Sequence, residues 1–236
     1  LLSSPSFGEI SPETVSQTTL PEASNTWFVA KNVMGAGFVF DAASSQMLGT
    51  LSLTPFTPTI TRSKQRNELY AAESYYSRRY RGEREDVLTI YDHANLAAIH
   101  EIDIPNKIAS LNFLEYLSLL SDERYLTVFN MTPAQSVSVV DLQERRFVDE
   151  ISTPGCALTL SAGERGFLMI CGDGTLQLIQ LDANGAEAER VRSKSFFSVD
   201  KDPVFDQPVR TNDGWQLISF EGKVFEVTLD AKRIKI

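Results

Sequence analysis

From residue 26 onward the chain alternates apolar and polar residues in short runs, rich in β-branched and aromatic side chains and separated by polar turns. A period of two marks half-buried β-strands, and the i, i+3, i+4 spacing of an amphipathic helix is scarce. One unit shows the plan: YLSLL (116–120), turn SDER, YLTVFN (125–130), turn MTPAQ, SVSVVDL (136–142), turn QER, RFVDEIS (146–152). Four consecutive strands in a meander are predicted there, with the apolar parity buried. The plan recurs before it, in TPTITRS, ELYAAESYY, VLTIYDH and AIHEIDI, and after it, in CALTL, FLMIC, TLQLIQL and a weaker strand around AERVRSK.

An aspartate closes the third strand of each unit: Asp41, Asp92, Asp141, Asp182 and Asp230, at intervals of 51, 49, 41 and 48 residues. A carboxylate at that point can accept hydrogen bonds from turn amides, which gives it a structural role. Four strands recurring at this period are the signature of β-propeller blades, whereas the strands of an immunoglobulin-like sandwich need not recur in fours. The first unit offers only its last three strands (TWFVA, GFVFDA, LGTLSLT), and the last stops after VFEVTLD, where a fourth begins. The expected fold is therefore all-β, a propeller of four-stranded blades of which this chain covers roughly the first four to five. Residues 1–25, rich in Ser, Thr and Pro, read as a flexible N-terminal arm, and 26–236 as the propeller domain. A start at Leu1 rather than Met reads as a removed leader or a fragment.

Composition narrows the partners. The net charge of −9 would repel a phosphate backbone and an anionic membrane face, so no nucleic acid is expected. No run approaches the roughly 18 apolar residues of a membrane span, so no membrane insertion is expected either.

The two cysteines, Cys156 and Cys171, lie in PGCALTLSAGERGFLMICGDG. If CALTL and FLMIC form a hairpin across SAGERG, Leu160 faces Phe167, Leu158 faces Met169 and Cys156 faces Cys171. Directly opposed Cα atoms lie about 4.5–5.5 Å apart, within reach of a disulfide. Closing a loop of that length stabilises by about 3 kcal/mol. Two free buried thiols are the alternative. There is no CxxC for thiol exchange, and the only histidines, His93 and His100, lie in another repeat, which argues against a metal site at the cysteines. A persistent disulfide implies the periplasm or the exterior.

The chain carries no GxSxG, HExxH or P-loop, so no catalytic residue and no metal are assigned to it. A metal-dependent propeller hydrolase would need clustered carboxylates and Asn that these repeats do not display. His93 and His100 read as surface residues. The segment YYSRRYRGERED (75–86) interleaves aromatics with Arg78, Arg79, Arg81 and Arg84, a pattern that suits phosphate or a nucleic-acid strand. Glu83, Glu85 and Asp86 alongside favour instead an internally paired or protein-contacting loop. Phe56, held between Pro55 and Pro58, suits packing or the wall of a channel, and spacing alone favours packing.

Taken in order, GTLSLTPFTPTI, SRRYRGEREDVLTIYD, PGCALTLSAGERGFLMICGDG and RSKSFFSVDKDPVF resemble the large subunit of the quinoprotein amine dehydrogenases, from Trp27 to the C-terminus. ICGDG and RSKSFFSVDKDPVF bring the resemblance nearer the aromatic amine dehydrogenase branch than the methylamine branch. The resemblance implies a seven-bladed propeller in a periplasmic α2β2 heterotetramer. In that family the small, disulfide-dense subunit carries tryptophan tryptophylquinone and the catalytic Asp. The complex deaminates a primary amine to an aldehyde and passes electrons singly to a blue copper protein of the azurin or amicyanin type. The large subunit cradles the small one and lines the substrate channel with a Phe, matched here by Phe56. The family's disulfide maps onto Cys156 and Cys171, and its basic loop, an expected subunit contact, onto Arg78, Arg81, Gly82, Arg84 and Asp86. Trp27 and Trp215 lie in different repeats and only two cysteines are present, so the quinone is expected in the partner and no cofactor in this chain. The family's last blades have no counterpart here. The rival reading is a secreted propeller that serves purely as a binding module.

Overall fold

A computed structural model describes residues 19–32, 34–57, 59–63 and 65–236; residues 1–18 of the expected arm, and Pro58 beside Phe56, lie outside the described residues. The chain forms five antiparallel sheets in sequence order, each a meander. The first has three strands, β1 (Trp27–Lys31), β2 (Ala36–Asp41) and β3 (Gln46–Ser52). The second has β4 (Ile60–Ser63), β5 (Glu68–Tyr76), β6 (Arg84–Asp92) and β7 (Ala98–Ile104). The third, after a short 3₁₀ turn at Leu114–Tyr116, has β8 (Leu117–Leu119), β9 (Tyr125–Asn130), β10 (Ser136–Asp141) and β11 (Arg146–Ser152). The fourth is β12 (Cys156–Ser161), β13 (Gly166–Cys171), β14 (Leu176–Leu181) and β15 (Glu187–Arg192), and the fifth β16 (Val209–Arg210), β17 (Gly214–Ile218), β18 (Val224–Asp230) and β19 (Arg233–Lys235). These are the blades of a partial propeller, and the short β19 is the fourth strand anticipated after VFEVTLD.

The core lies between blades. Val39 and Leu51 meet Leu69, Ala71 and Tyr91 between the first and second. Tyr70, Leu88 and Ile90 on the other face of the second blade meet Leu126, Val128 and Val140 of the third. Tyr125, Phe129, Val137 and Val139 on the third blade's opposite face join Phe167, Leu178, Trp215 and Val227 of the fourth and fifth. Every residue of β9 and β10 is consequently buried, polar ones included, because the third blade is covered on both faces. The one-sided burial expected from alternation therefore holds toward the blade edges and in the first and fifth blades, as in β2 and β17.

Four of the five repeated aspartates do what their position suggests. Asp41 accepts from the amides of Ala43 and Ser44, Asp92 from Ala94, Asp141 from Gln143 and Glu144, and Asp182 from Asn184 and Ala186. Asp230 differs: Asp230 pairs directly with Arg233, so a two-residue turn leaves no amides to gather, and its carboxylate binds Lys235 at 2.8 Å.

The hairpin β12–β13 places Cys156 opposite Cys171 and joins them in a disulfide with Cα atoms 4.0 Å apart. The rest of the expected register is corrected. A bulge after Ala157 puts Leu158 in a left-handed conformation (φ 67°), so Leu160 faces Leu168 and Ser161 faces Phe167.

His93 corrects a second expectation. It is 4% exposed, its ring stacks on Trp27 at 5.1 Å, and Nε2 lies 3.0 Å from the Pro21 carbonyl. The Leu20 amide donates to Ala94 O at 2.7 Å and Ser24 O accepts from Arg62, so residues 20–24, inside the expected arm, run along the second blade. His100 is exposed on β7 as expected.

Candidate functional site

Phe56 sits on the turn that carries the chain from β3 into β4, and that turn is fastened from two sides. On the first blade, Leu53 N donates to Gly35 O at 2.8 Å, and the backbones approach so closely that a Cβ on Gly35 would lie 2.3 Å from Leu53 O. Gly35 also holds φ at +91°, which only glycine adopts without strain. On the second blade, the carboxylate of Glu73 on β5 is fully buried beneath the turn. Its Oε1 accepts from Thr54 N at 2.9 Å and from Thr57 Oγ1 at 3.1 Å, one residue from each side of the Pro55–Phe56 step. Its Oε2 lies 2.9 Å from the Tyr91 hydroxyl, which also reaches Ser52 O at 3.0 Å. Burial first, and then the Glu73 charge, push the Tyr91 hydroxyl well above the usual phenol range.

The half-buried Phe56 ring meets two tyrosines edge-on, Tyr76 at 5.1 Å and Tyr80 at 5.9 Å between centroids. Tyr76 ends β5 and Tyr80 belongs to the basic loop, so the structure brings together two features that are separate in the sequence. Strand pairing runs from Glu68–Asp92 to Tyr76–Arg84, which shortens the loop expected at 75–86 to residues 77–83. Ser77 N donates to Glu83 O, Arg78 N to Arg81 O, and Ser77 Oγ accepts from Glu83 N, closing the tip on itself. Arg78, Arg79 and Arg81 are exposed and have no ion-pair partner among the described residues; Arg79 lies over the Tyr80 ring at 5.0 Å.

Arg84 and Asp86 point elsewhere. Arg84 grips Asp86 through two contacts of 2.7 Å and donates to Ile108 O, while Asp86, fully buried, accepts from Ile108 N at 2.8 Å. Asn106 completes the tie by accepting from Asp86 N and donating to Arg84 O. This pair of the expected contact loop thus anchors the link between the second and third blades, and the outward charge is that of Arg78, Arg79 and Arg81. Nothing in the sequence pattern marks Glu73, Tyr76 and Tyr80 as neighbours of Phe56. Glu73 left a signal, a lone carboxylate in the otherwise uncharged LYAAESY run.

The disulfide lies on the fourth blade, at the edge of a pocket of about 310 Å³ whose walls include Leu158, Phe197, Val199, Pro203 and Phe205. Trp215 is buried on β17 and donates to Ser161 O at 3.0 Å, in a different blade from Trp27. Among the described residues no three His, Cys, Asp or Glu side chains converge as metal ligands.

Solved structures share the architecture at low identity. The chain is similar to BamB from Moraxella catarrhalis (14% identical, TM-score 0.55, 87% of this chain and 55% of that one). It is also similar to the dihydro-heme d1 dehydrogenase NirN in complex with DHE (18%, TM-score 0.60, 96% and 47%). These likenesses speak to fold alone. Among curated proteins, the methylamine dehydrogenase heavy chain of Methylophilus methylotrophus is 28% identical over 195 residues, 81% of this chain and 47% of that protein. The heavy chain from Methylobacillus flagellatus is 26% identical over 200 residues, 84% and 50% respectively. The chain thus spans about half the length of the curated relatives it matches. The family model described as methylamine dehydrogenase heavy chain (MADH) matches residues 27–236, almost the whole of the described propeller, and the chain belongs to that family.

Proposed function

We propose that this chain is the large, non-catalytic subunit of a periplasmic amine dehydrogenase, assembled as an α2β2 heterotetramer with a small subunit that carries tryptophan tryptophylquinone. The observation that carries the reading is the ordered family match over residues 27–236, within which Phe56 occupies a turn clamped to two blades. The overall reaction converts a primary ammonium and water to an aldehyde, ammonium, two protons and two electrons, the electrons leaving singly to a blue copper protein of the azurin or amicyanin type. Bound in the partner, the quinone supplies the oxidation chemistry. Trp27 and Trp215 lie in separate blades and each is engaged in other contacts, which supports placing the cofactor outside this chain.

The work of this chain is then positional. Phe56, with Tyr76 and Tyr80 behind it, presents an aromatic wall that excludes water and orients the apolar part of the amine. The substrate reading is an aromatic primary amine, supported by ICGDG and RSKSFFSVDKDPVF. Arg78, Arg79 and Arg81 offer exposed positive charge for the small subunit. The test is the assembled complex carrying Phe56→Ala, assayed with methylamine and with 2-phenylethylamine. The expected result is wild-type preference for the aromatic amine, and a ratio of kcat/KM values changed about tenfold by the truncation, the size expected for a lost apolar contact. An unchanged ratio would contradict the role of Phe56.

A further inference from the structure

Glu73 is wholly buried, and its polar contacts are with an amide and hydroxyls rather than a cation. A buried carboxylate of this kind carries a desolvation cost that an apolar residue of similar volume would avoid, so fold stability alone gives little reason for it. Its contacts are concentrated on one feature. Thr54 and Thr57 bracket Phe56, and both are held by the same oxygen, Oε1. The other oxygen meets Tyr91, and more distantly Tyr75 at 3.5 Å, so the carboxylate itself is fixed between the turn and the middle of the second blade. Three residues further along β5, Tyr76 supports the Phe56 ring from the side. The clamp and the ring contact therefore grow from one rigid strand.

We propose that Glu73 is a positioning residue for amine selection: by clamping both ends of the turn through one oxygen it fixes where the Phe56 ring stands on the substrate path. The proposal rests on the reading of Phe56 as a channel wall. It is tested in the assembled complex with Glu73→Leu, which keeps volume but removes both acceptors, and Glu73→Gln, which keeps one acceptor for the turn. Glu73→Leu is expected to change the ratio of kcat/KM values for methylamine and 2-phenylethylamine by about threefold or more, the change falling on KM rather than kcat. Glu73→Gln should stay near wild type. In a Phe56→Ala background Glu73→Leu should add nothing to the ratio, because the ring it positions is gone. Hydrogen exchange at the Thr54 amide should accelerate about tenfold or more in Glu73→Leu, with the other blades unchanged. If Glu73→Leu does not accumulate as a folded complex, Glu73→Asp, one methylene short of spanning turn and Tyr91, carries the same expectation. A preference unchanged by Glu73→Leu while Phe56→Ala alters it, or altered equally in both backgrounds, would overturn the proposal. A preference unchanged by Phe56→Ala would sink the channel reading instead, and the Thr54 exchange rate would then decide the clamp by itself.

Discussion

Asp141 is a side chain with no solvent exposure whose charge is nonetheless kept. Burial opposes ionisation, but Arg124 at 2.8 Å and the amides of Glu144 and Gln143 outweigh it and hold the carboxyl below the usual range. A depressed folded pKa stabilises above the unfolded value, about pH 4, and the contribution disappears as pH falls through the lower folded value. Asp141→Asn should therefore lower stability at pH 7 by about 1–2 kcal/mol and flatten the acid limb of the stability curve, read by denaturant titration from neutral pH to about pH 3. Equal slopes in both proteins would contradict this. Gly35 gives a prediction of a different kind. With φ at +91° and Leu53 O in the path of any Cβ, Gly35→Ala should cost about 1–3 kcal/mol and displace the Phe56 turn, seen as a lower Tm and a changed amine preference together. At this scale the sequence was partly legible. Four of the five repeated aspartates and the cysteine pair declared themselves by period and register, whereas the Glu73 contacts join residues from two strands and a turn that only folding brings together. The burial of His93 has no local signal: a turn histidine is ordinarily exposed, and only folding brings Trp27 and the Pro21 segment over it.

At the scale of strands and turns, the repeated Asp marks a particular hairpin. In each of the first four blades the ladder between the third and fourth strands shifts register beside the Asp, at Val39/Phe40, Ile90/Tyr91, Val139/Val140 and Gln180/Leu181. Each turn also contains a left-handed residue, Ser45, Leu96, Arg145 or Gly185. The Asp gathers the amides that this bulged turn leaves unpaired, and the fifth blade, with its tighter turn, loses both the shift and the role. The bulge at Leu158 was invisible for the complementary reason: a single extra residue leaves the apolar pattern of CALTL intact. The disulfide closes that same hairpin. Replacing both cysteines by serine should cost about 3 kcal/mol, a fall in Tm of about 6–12 °C, without altering amine preference. A Tm within a degree of wild type would show that the bulged hairpin needs no staple. In the β5–β6 hairpin, Arg78→Glu with Arg81→Glu should weaken association with the small subunit about tenfold at low salt and much less at high salt, measured by surface binding; salt-independent weakening would point to a fold defect.

Over the whole molecule, the period of four strands proved readable because the second to fourth blades bury both faces and repeat the same solution. Where each blade's neighbour sits was not readable, since the interfaces are built from both parities of the middle strands, as in Tyr70 and Ala72 on one face of β5 and Leu69 and Ala71 on the other. A scaffold of this kind holds a turn still by anchoring it to two blades at once, and the Phe56 turn has both anchors, Gly35 on the first and Glu73 on the second. In the function proposed here, the wall so formed serves a quinone held by another polypeptide. The most direct measurement is the visible spectrum of the natively purified protein before and after addition of a primary amine. A co-purifying small subunit with a quinone band that bleaches on amine addition is the predicted result; a colourless single species, unchanged by amine, would contradict it.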